Sequence, residues 1–242
     1  MKRHNVKWPM SRVRTASKSV DAWITVLIFD PIAEPIVYLL ANFTRVTPNS
    51  VTVVSILLCA GAAVLFWNGP GVPWVVGGVL YALGFLGDCV DGKLARLTNQ
   101  RSKLGLWLDH AVYLAVVYLC ITALVVRGHT ARADGLLAWL GGGVVFLHFS
   151  MVLYEWLVKP LLQSKMPGVT LDPEANPFLC HGLRRMRLTL VPSSVDAILV
   201  VVIGSAFTGK VLECVAVGLA LLVINSGKYV IERLILFARR GQ

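Results

Sequence analysis

Charge is scarce in this 242-residue chain. Only 15% of its residues are Asp, Glu, Lys or Arg, against 56% hydrophobic and a mean hydropathy of +0.70. So few charged side chains cannot coat a globule of this size, which excludes a water-soluble domain and makes lipid the expected solvent. Alternation of apolar and polar residues at period two is missing too. An open sheet edge would leave backbone groups unpaired in hydrocarbon, so no sheet is expected. The five cysteines (Cys59, Cys89, Cys120, Cys180, Cys214) are odd in number and have no paired metal-ligand spacing. They read as small buried hydrophobes rather than a zinc site or a disulfide framework. Residues 1–20 are basic but lack the apolar core and small-residue cleavage site of a secretory signal, and are expected to be retained.

What the chain does have is long apolar runs. Stretches of spanning length, roughly 17–25 residues each, cover residues 51–67, 72–87, 104–126, 136–158, 190–207 and 211–231. The expected fold is all-α: a polytopic membrane protein with six transmembrane helices over residues 50–242, preceded by a basic arm and an interfacial amphipathic segment over residues 1–49. Asp30-Pro31 and Glu34-Pro35 interrupt the apolar run over residues 20–43. A proline costs about 3 kcal/mol inside a helix, so this run reads as two short helices lying in the headgroup layer. The turn Thr47-Pro48-Asn49-Ser50 supplies cap residues for the first span.

Orientation follows from the 23 basic residues. All but Arg127, Arg132 and Lys210 fall in the N-terminal arm, alternate loops and the C-terminal end. That places both termini, and those loops, in the cytoplasm. Topogenic charge and contact with anionic lipid account for the basic arm, and nucleic acid is not an expected partner.

One stretch carries chemistry. Asp88 and Asp91 are three residues apart and share a helix face near the cytoplasmic end of the second span. A short turn returns Asp109, a few residues into the third span, to the same depth. Carboxylates cost about 2.5–3.5 kcal/mol each near a bilayer centre on insertion scales, and three together repel. A hard divalent cation, Mg²⁺ or Mn²⁺, prefers such oxygen ligands and bridges to substrate phosphates. Gly92, Ala95 and Gly105 leave room for a ligand against the helix backbones. The plainer reading pairs these Asp residues with Lys93, Arg96 and Lys103, and it accounts for one or two of them.

The pattern Asp88-x2-Asp91-Gly92-x2-Ala95-Arg96-x8-Gly105-x3-Asp109 resembles, without a gap, the signature of the CDP-alcohol phosphotransferases, membrane enzymes of phospholipid synthesis. That resemblance implies that Asp88, Asp91 and Asp109 hold metal on a CDP pyrophosphate. It also implies that Asp88, Gly92, Ala95 and Gly105 line the nucleotide pocket and that Arg96 steadies phosphate charge. The implied reaction transfers a phospho-alcohol or phosphatidyl group from a CDP-linked donor to an acceptor, with CMP leaving. The implied partners are membrane lipids, that donor and a lipid, alcohol or phosphate-bearing acceptor, and a homodimer is compatible with the plan.

The family signature continues to one more Asp, assigned as the base that deprotonates the acceptor hydroxyl. Here position 113 is Tyr, and no Asp or Glu occurs from His110 through Ala133. Three alternatives stand. A substitute base comes from His110, His148, Glu155, Asp196 or Tyr113 itself. Or the acceptor is an anion that needs no base and is gripped by Arg184, Arg185 and Arg187. Or the chain binds a CDP-linked ligand, or serves as a scaffold, without turnover. The expectation carried forward is an active transferase with an ionised, phosphate-bearing acceptor.

Overall fold

A computed structural model describes residues 7–132, 135–165 and 181–240, and among them every regular element is a helix. A six-residue helix, α1 (Met10–Thr15), turns Val13 inward and leaves Arg12 and Arg14 in solvent. Then follow α2 (Thr25–Phe43), α3 (Pro48–Trp67), α4 (Val72–Thr98), α5 (Lys103–Thr130) and α6 (Gly135–Leu161). The short α7 (His181–Arg185), α8 (Ser194–Thr208) and α9 (Val211–Arg240) complete the chain.

Six helices are long and apolar enough to cross a membrane, as expected, though two assignments change. Residues 20–43 do not form two short helices. The helix runs unbroken through Pro31 and Pro35, with a π turn over Thr25–Phe29 just before the first proline. Pro31 falls in the first turn of the following α segment, where a missing N–H is tolerated. Tertiary contacts offset Pro35: Phe29, Ala33 and Val37, spaced one turn apart, are all buried on one face. The free N–H groups of Trp23 and Ile24 donate to the Asp196 carboxylate.

The run over residues 190–207 starts late. Pro192 holds the chain extended, and Ser193 with Asp196 forms a reciprocal capping box that opens the helix only at Ser194. At 1.5 Å per residue, α8 is about 22 Å long, short of a roughly 30 Å hydrocarbon core. It is wedged against α4 and α9 with Ala197, Leu199, Val201, Val202 and Ser205 almost fully buried.

The most extensive packing is between α3 and α4. Gly84 makes it possible, because a Cβ there would stand 2.9 Å from the Ser55 carbonyl oxygen and collide with the Cys59 thiol. Large apolar side chains such as Leu57, Val64, Phe146 and Trp139, the last 83% exposed, cover the outside. That is the inverse of a soluble surface and matches a lipid-facing one. At about 40 Å, α4 is longer than the hydrocarbon core, so its last turns reach the polar edge of the bilayer.

Candidate active site

Those last turns of α4 carry Asp88, Asp91, Gly92, Ala95 and Arg96, spaced as one stripe along a helix. The helix stops where Asn99 takes the left-handed conformation (φ 54°). Ser102 then caps α5 by accepting from the Gly105 N–H at 2.9 Å. This tight return sets Gly105 and Asp109 opposite the stripe. On the third side, Thr47 caps α3 and Pro48 occupies its first turn, which fixes Asn49 and Thr52 against the same space. The capping side chain is that of Thr47, not of the Asn or Ser expected at the N-cap.

A cleft of ≈ 390 Å³ opens between these three helix ends, lined by Asp91, Gly92, Ala95, Arg96, Gly105 and Asp109 among others. Asp91 is 7% exposed and accepts a 2.5 Å hydrogen bond from the Thr52 hydroxyl. Asp88 does not line the cleft, but its carboxyl lies within hydrogen-bonding reach of Asp109 and in the electrostatic field of Asp91. Cations face the acids: Lys18 and Arg101 also line the cleft. A Cβ at Gly105 would stand 2.6 Å from Asn49 Oδ1, so a larger residue here would have to displace the Asn49 side chain.

The simple ion-pair reading of the acids is set aside by where the cations go. Lys93 turns away to a 2.5 Å ion pair with Asp30 of α2, and both side chains are buried. The Nε of Arg96 donates to the Ala16 carbonyl at 2.5 Å, tying the N-terminal arm to the cleft. The three carboxylates are, in kind, the hard oxygen donors that Mg²⁺ or Mn²⁺ takes. Among the described residues they are not drawn tightly enough to close around an ion as they stand.

Beyond Asp109 lies a second cavity of ≈ 240 Å³ between α5, α6 and the start of α8. Tyr113, His110, His148, Glu155, Trp156 and Ser194 line it together with Asp109. Both long helices carry a π turn here, over Leu108–Tyr113 and Tyr154–Val158, a feature frequent at functional sites. The His110 ring packs on Trp156 at 3.7 Å between centroids, pinning the two turns together. The Tyr113 hydroxyl is buried beside the Cys59 thiol and reaches no oxygen or nitrogen partner. Glu155 pairs with Lys159 one turn on, at 3.0 Å.

Of the three arginines expected at an acceptor, the side chains of Arg185 and Arg187 are described. Arg187 makes a 2.9 Å ion pair with Asp30, its Nε donates to the Lys18 carbonyl, and it lines neither cavity. Arg185 is exposed on α7, and the Arg184 side chain lies outside the described residues, as does most of the loop before it. Asp196 is fully used as a cap for α8 and α2. Sequence reasoning missed Lys18, Asn49, Thr52 and Asp30. The Thr47-Pro48-Asn49 turn was a signal that pointed at one of them, Asn49.

Comparison with known proteins places residues 45–222 within the CDP-alcohol phosphatidyltransferase family. Over 112 residues, 46% of this chain and 48% of the relative, the sequence is 32% identical to a CDP-diacylglycerol–glycerol-3-phosphate 3-phosphatidyltransferase of Cereibacter sphaeroides. Over 121 residues, 49% of this chain and 26% of the relative, it is 28% identical to a bifunctional IPC transferase and DIPP synthase of Aquifex aeolicus. The match thus spans about half of the first relative and a quarter of the second.

Proposed function

Because the chain belongs to the CDP-alcohol phosphatidyltransferase family, we propose that it is a metal-dependent membrane transferase that moves a substituted phosphoryl group from a CDP-linked donor to an acceptor and releases CMP. The observation that carries this reading is the cleft in which Asp91, Gly92, Ala95, Arg96, Gly105 and Asp109 meet from two helices. The donor nucleotide lies against Gly92, Ala95 and Gly105, the small residues of the cleft lining. Asp88, Asp91 and Asp109 would hold Mg²⁺ or Mn²⁺ once drawn together, and the cation would supply positive charge against the pyrophosphate. Thr52 orients Asp91 by its hydrogen bond. Lys18 and Arg96 add positive charge where the CMP phosphate departs.

The cleft sits at the α4 end that is flanked by the basic loops, and the reading therefore puts the chemistry at the cytoplasmic face. The donor alcohol is proposed by class alone; diacylglycerol, which the Cereibacter relative's name gives as its donor alcohol, is the first probe. A second reading, a CDP-ligand-binding protein without turnover, draws its support from Tyr113 standing where the family has a carboxylate. The experiment that separates them is CMP release from CDP-diacylglycerol by the purified protein with Mg²⁺. Absence of release alongside normal CDP binding would favour the second reading.

A further inference from the structure

Of the five groups able to stand in for the missing carboxylate, the structure disposes of four. Asp196 is consumed as a helix cap and lines neither cavity. The His110 Nδ1 contacts both the Leu106 carbonyl and Asp109, each at 3.2 Å, and its ring is packed on Trp156. His148 is tied through Nδ1 to the Tyr118 hydroxyl at 3.0 Å and sits seven residues, about 10 Å, further into the membrane than Glu155. Tyr113 has no hydrogen-bonded base or cation beside it to draw off its proton. Glu155 remains. It lies on the α6 face that lines the cavity, across from Tyr113 and Asp109. The His110–Trp156 packing fixes it there, because it holds the neighbours of Asp109 and of Glu155 together.

We infer that the cavity beyond Asp109 receives a hydroxyl-bearing acceptor and that Glu155, on the facing helix, takes the hydroxyl proton in place of the carboxylate absent at position 113. The inference rests on the transferase reading above. The acceptor O–H bond breaks as its oxygen bonds to the donor phosphorus. The phosphorus–oxygen bond to CMP breaks, CMP leaves with the electron pair, and the proton rests on the Glu155 carboxylate until water removes it. Lys159, one turn on, pairs with that carboxylate at 3.0 Å from its own helix. The other groups facing it are Asp109, His110 and Tyr113 from α5, His148 from α6 and Ser194 from α8. Among the described residues the cavity lining holds no Lys or Arg, which suits an uncharged hydroxyl better than a phosphate nucleophile. Tyr113 contributes to the cavity wall, with its hydroxyl buried toward Cys59.

The test measures CMP release from CDP-diacylglycerol with Mg²⁺ and a panel of glycerol, inositol and glycerol 3-phosphate. It compares the wild type with Glu155→Gln and with Glu155→Gln carrying Tyr113→Asp. General-base removal costs about 10²–10⁴-fold. Glu155→Gln is therefore expected to lose at least about 100-fold in kcat, to keep CDP affinity, and to lose the ascending limb of its kcat/KM pH profile. Tyr113→Asp restores part of both, because it returns a carboxylate to the cavity from α5. If Glu155→Gln fails to fold, Glu155→Asp serves, with lower kcat but the ascending limb kept. Turnover of Glu155→Gln within about threefold of wild type, well under the cost of a lost base, with an unchanged pH profile, or a Glu155→Asp protein without that limb, overturns the assignment alone. A wild type that binds CDP yet transfers to none of the panel overturns the transferase reading itself.

Discussion

Replacing Asp30 by Asn tests how the N-terminal third is fastened to the site. Asp30 and Lys93 are each 2% exposed, 2.5 Å apart, and Arg187 stands 2.9 Å from the other carboxylate oxygen. Both oxygens are held by charge rather than by well-aligned hydrogen bonds. Asn removes the charge at nearly constant volume and strands the Lys93 ammonium in the interior, its remaining contact the Cys89 carbonyl at 3.4 Å. Breaking one side of a buried pair costs about 3–5 kcal/mol, or roughly 10²–10³-fold and more in the folded ratio. In detergent, denaturant titration of Asp30→Asn should show a midpoint well below wild type. Adding Lys93→Met to Asp30→Leu should recover much of the loss, since a packed apolar pair avoids the desolvation cost. A single variant as stable as wild type, or a double variant no better than the sum of the singles, would refute the claim that this pair docks α2 onto α4.

Two further outcomes follow from the same contacts. Arg187→Gln should lower stability, because Arg187 closes the Asp30 pair and ties the Lys18 carbonyl, and should leave the acceptor KM unchanged; a raised KM at unchanged stability would return Arg187 to an acceptor role. Thr52→Val removes the donor to Asp91. A hydrogen bond to a charged group contributes about 1.5–3 kcal/mol, so Mg²⁺-dependent CDP affinity in titration should fall by roughly tenfold or more, and equal affinity would show that Thr52 does not orient Asp91.

The cleft was legible in the sequence because its residues lie on one helical stripe and one short turn, where spacing alone fixes direction. Asp91 through Arg96 and Gly105 with Asp109 needed no tertiary knowledge. Thr52 and Asp30 did: each reaches α4 from a different helix, and nothing in their local sequence marks a partner some 40 to 60 positions away. The prolines misled at residues 20–43 because their local cost is real but is offset by Asp196 and by a buried face, both set by distant segments. The same blindness hid the role of Arg187, whose neighbours Arg184 and Arg185 made it look like part of a basic patch. Glu155 stood out in the sequence as an acid in an apolar run, and only the packing of His110 on Trp156 shows which residue it faces.

The central claim is tested most directly by incubating the purified protein with CDP-diacylglycerol, Mg²⁺ and total membrane lipid and following CMP by mass spectrometry. Wild type should release CMP in step with a new phosphatidyl product, chelation of the metal should stop it, and Asp91→Asn should abolish it while remaining folded. CMP release that persists in Asp91→Asn or in the presence of chelator would contradict the assignment of the chemistry to this cleft.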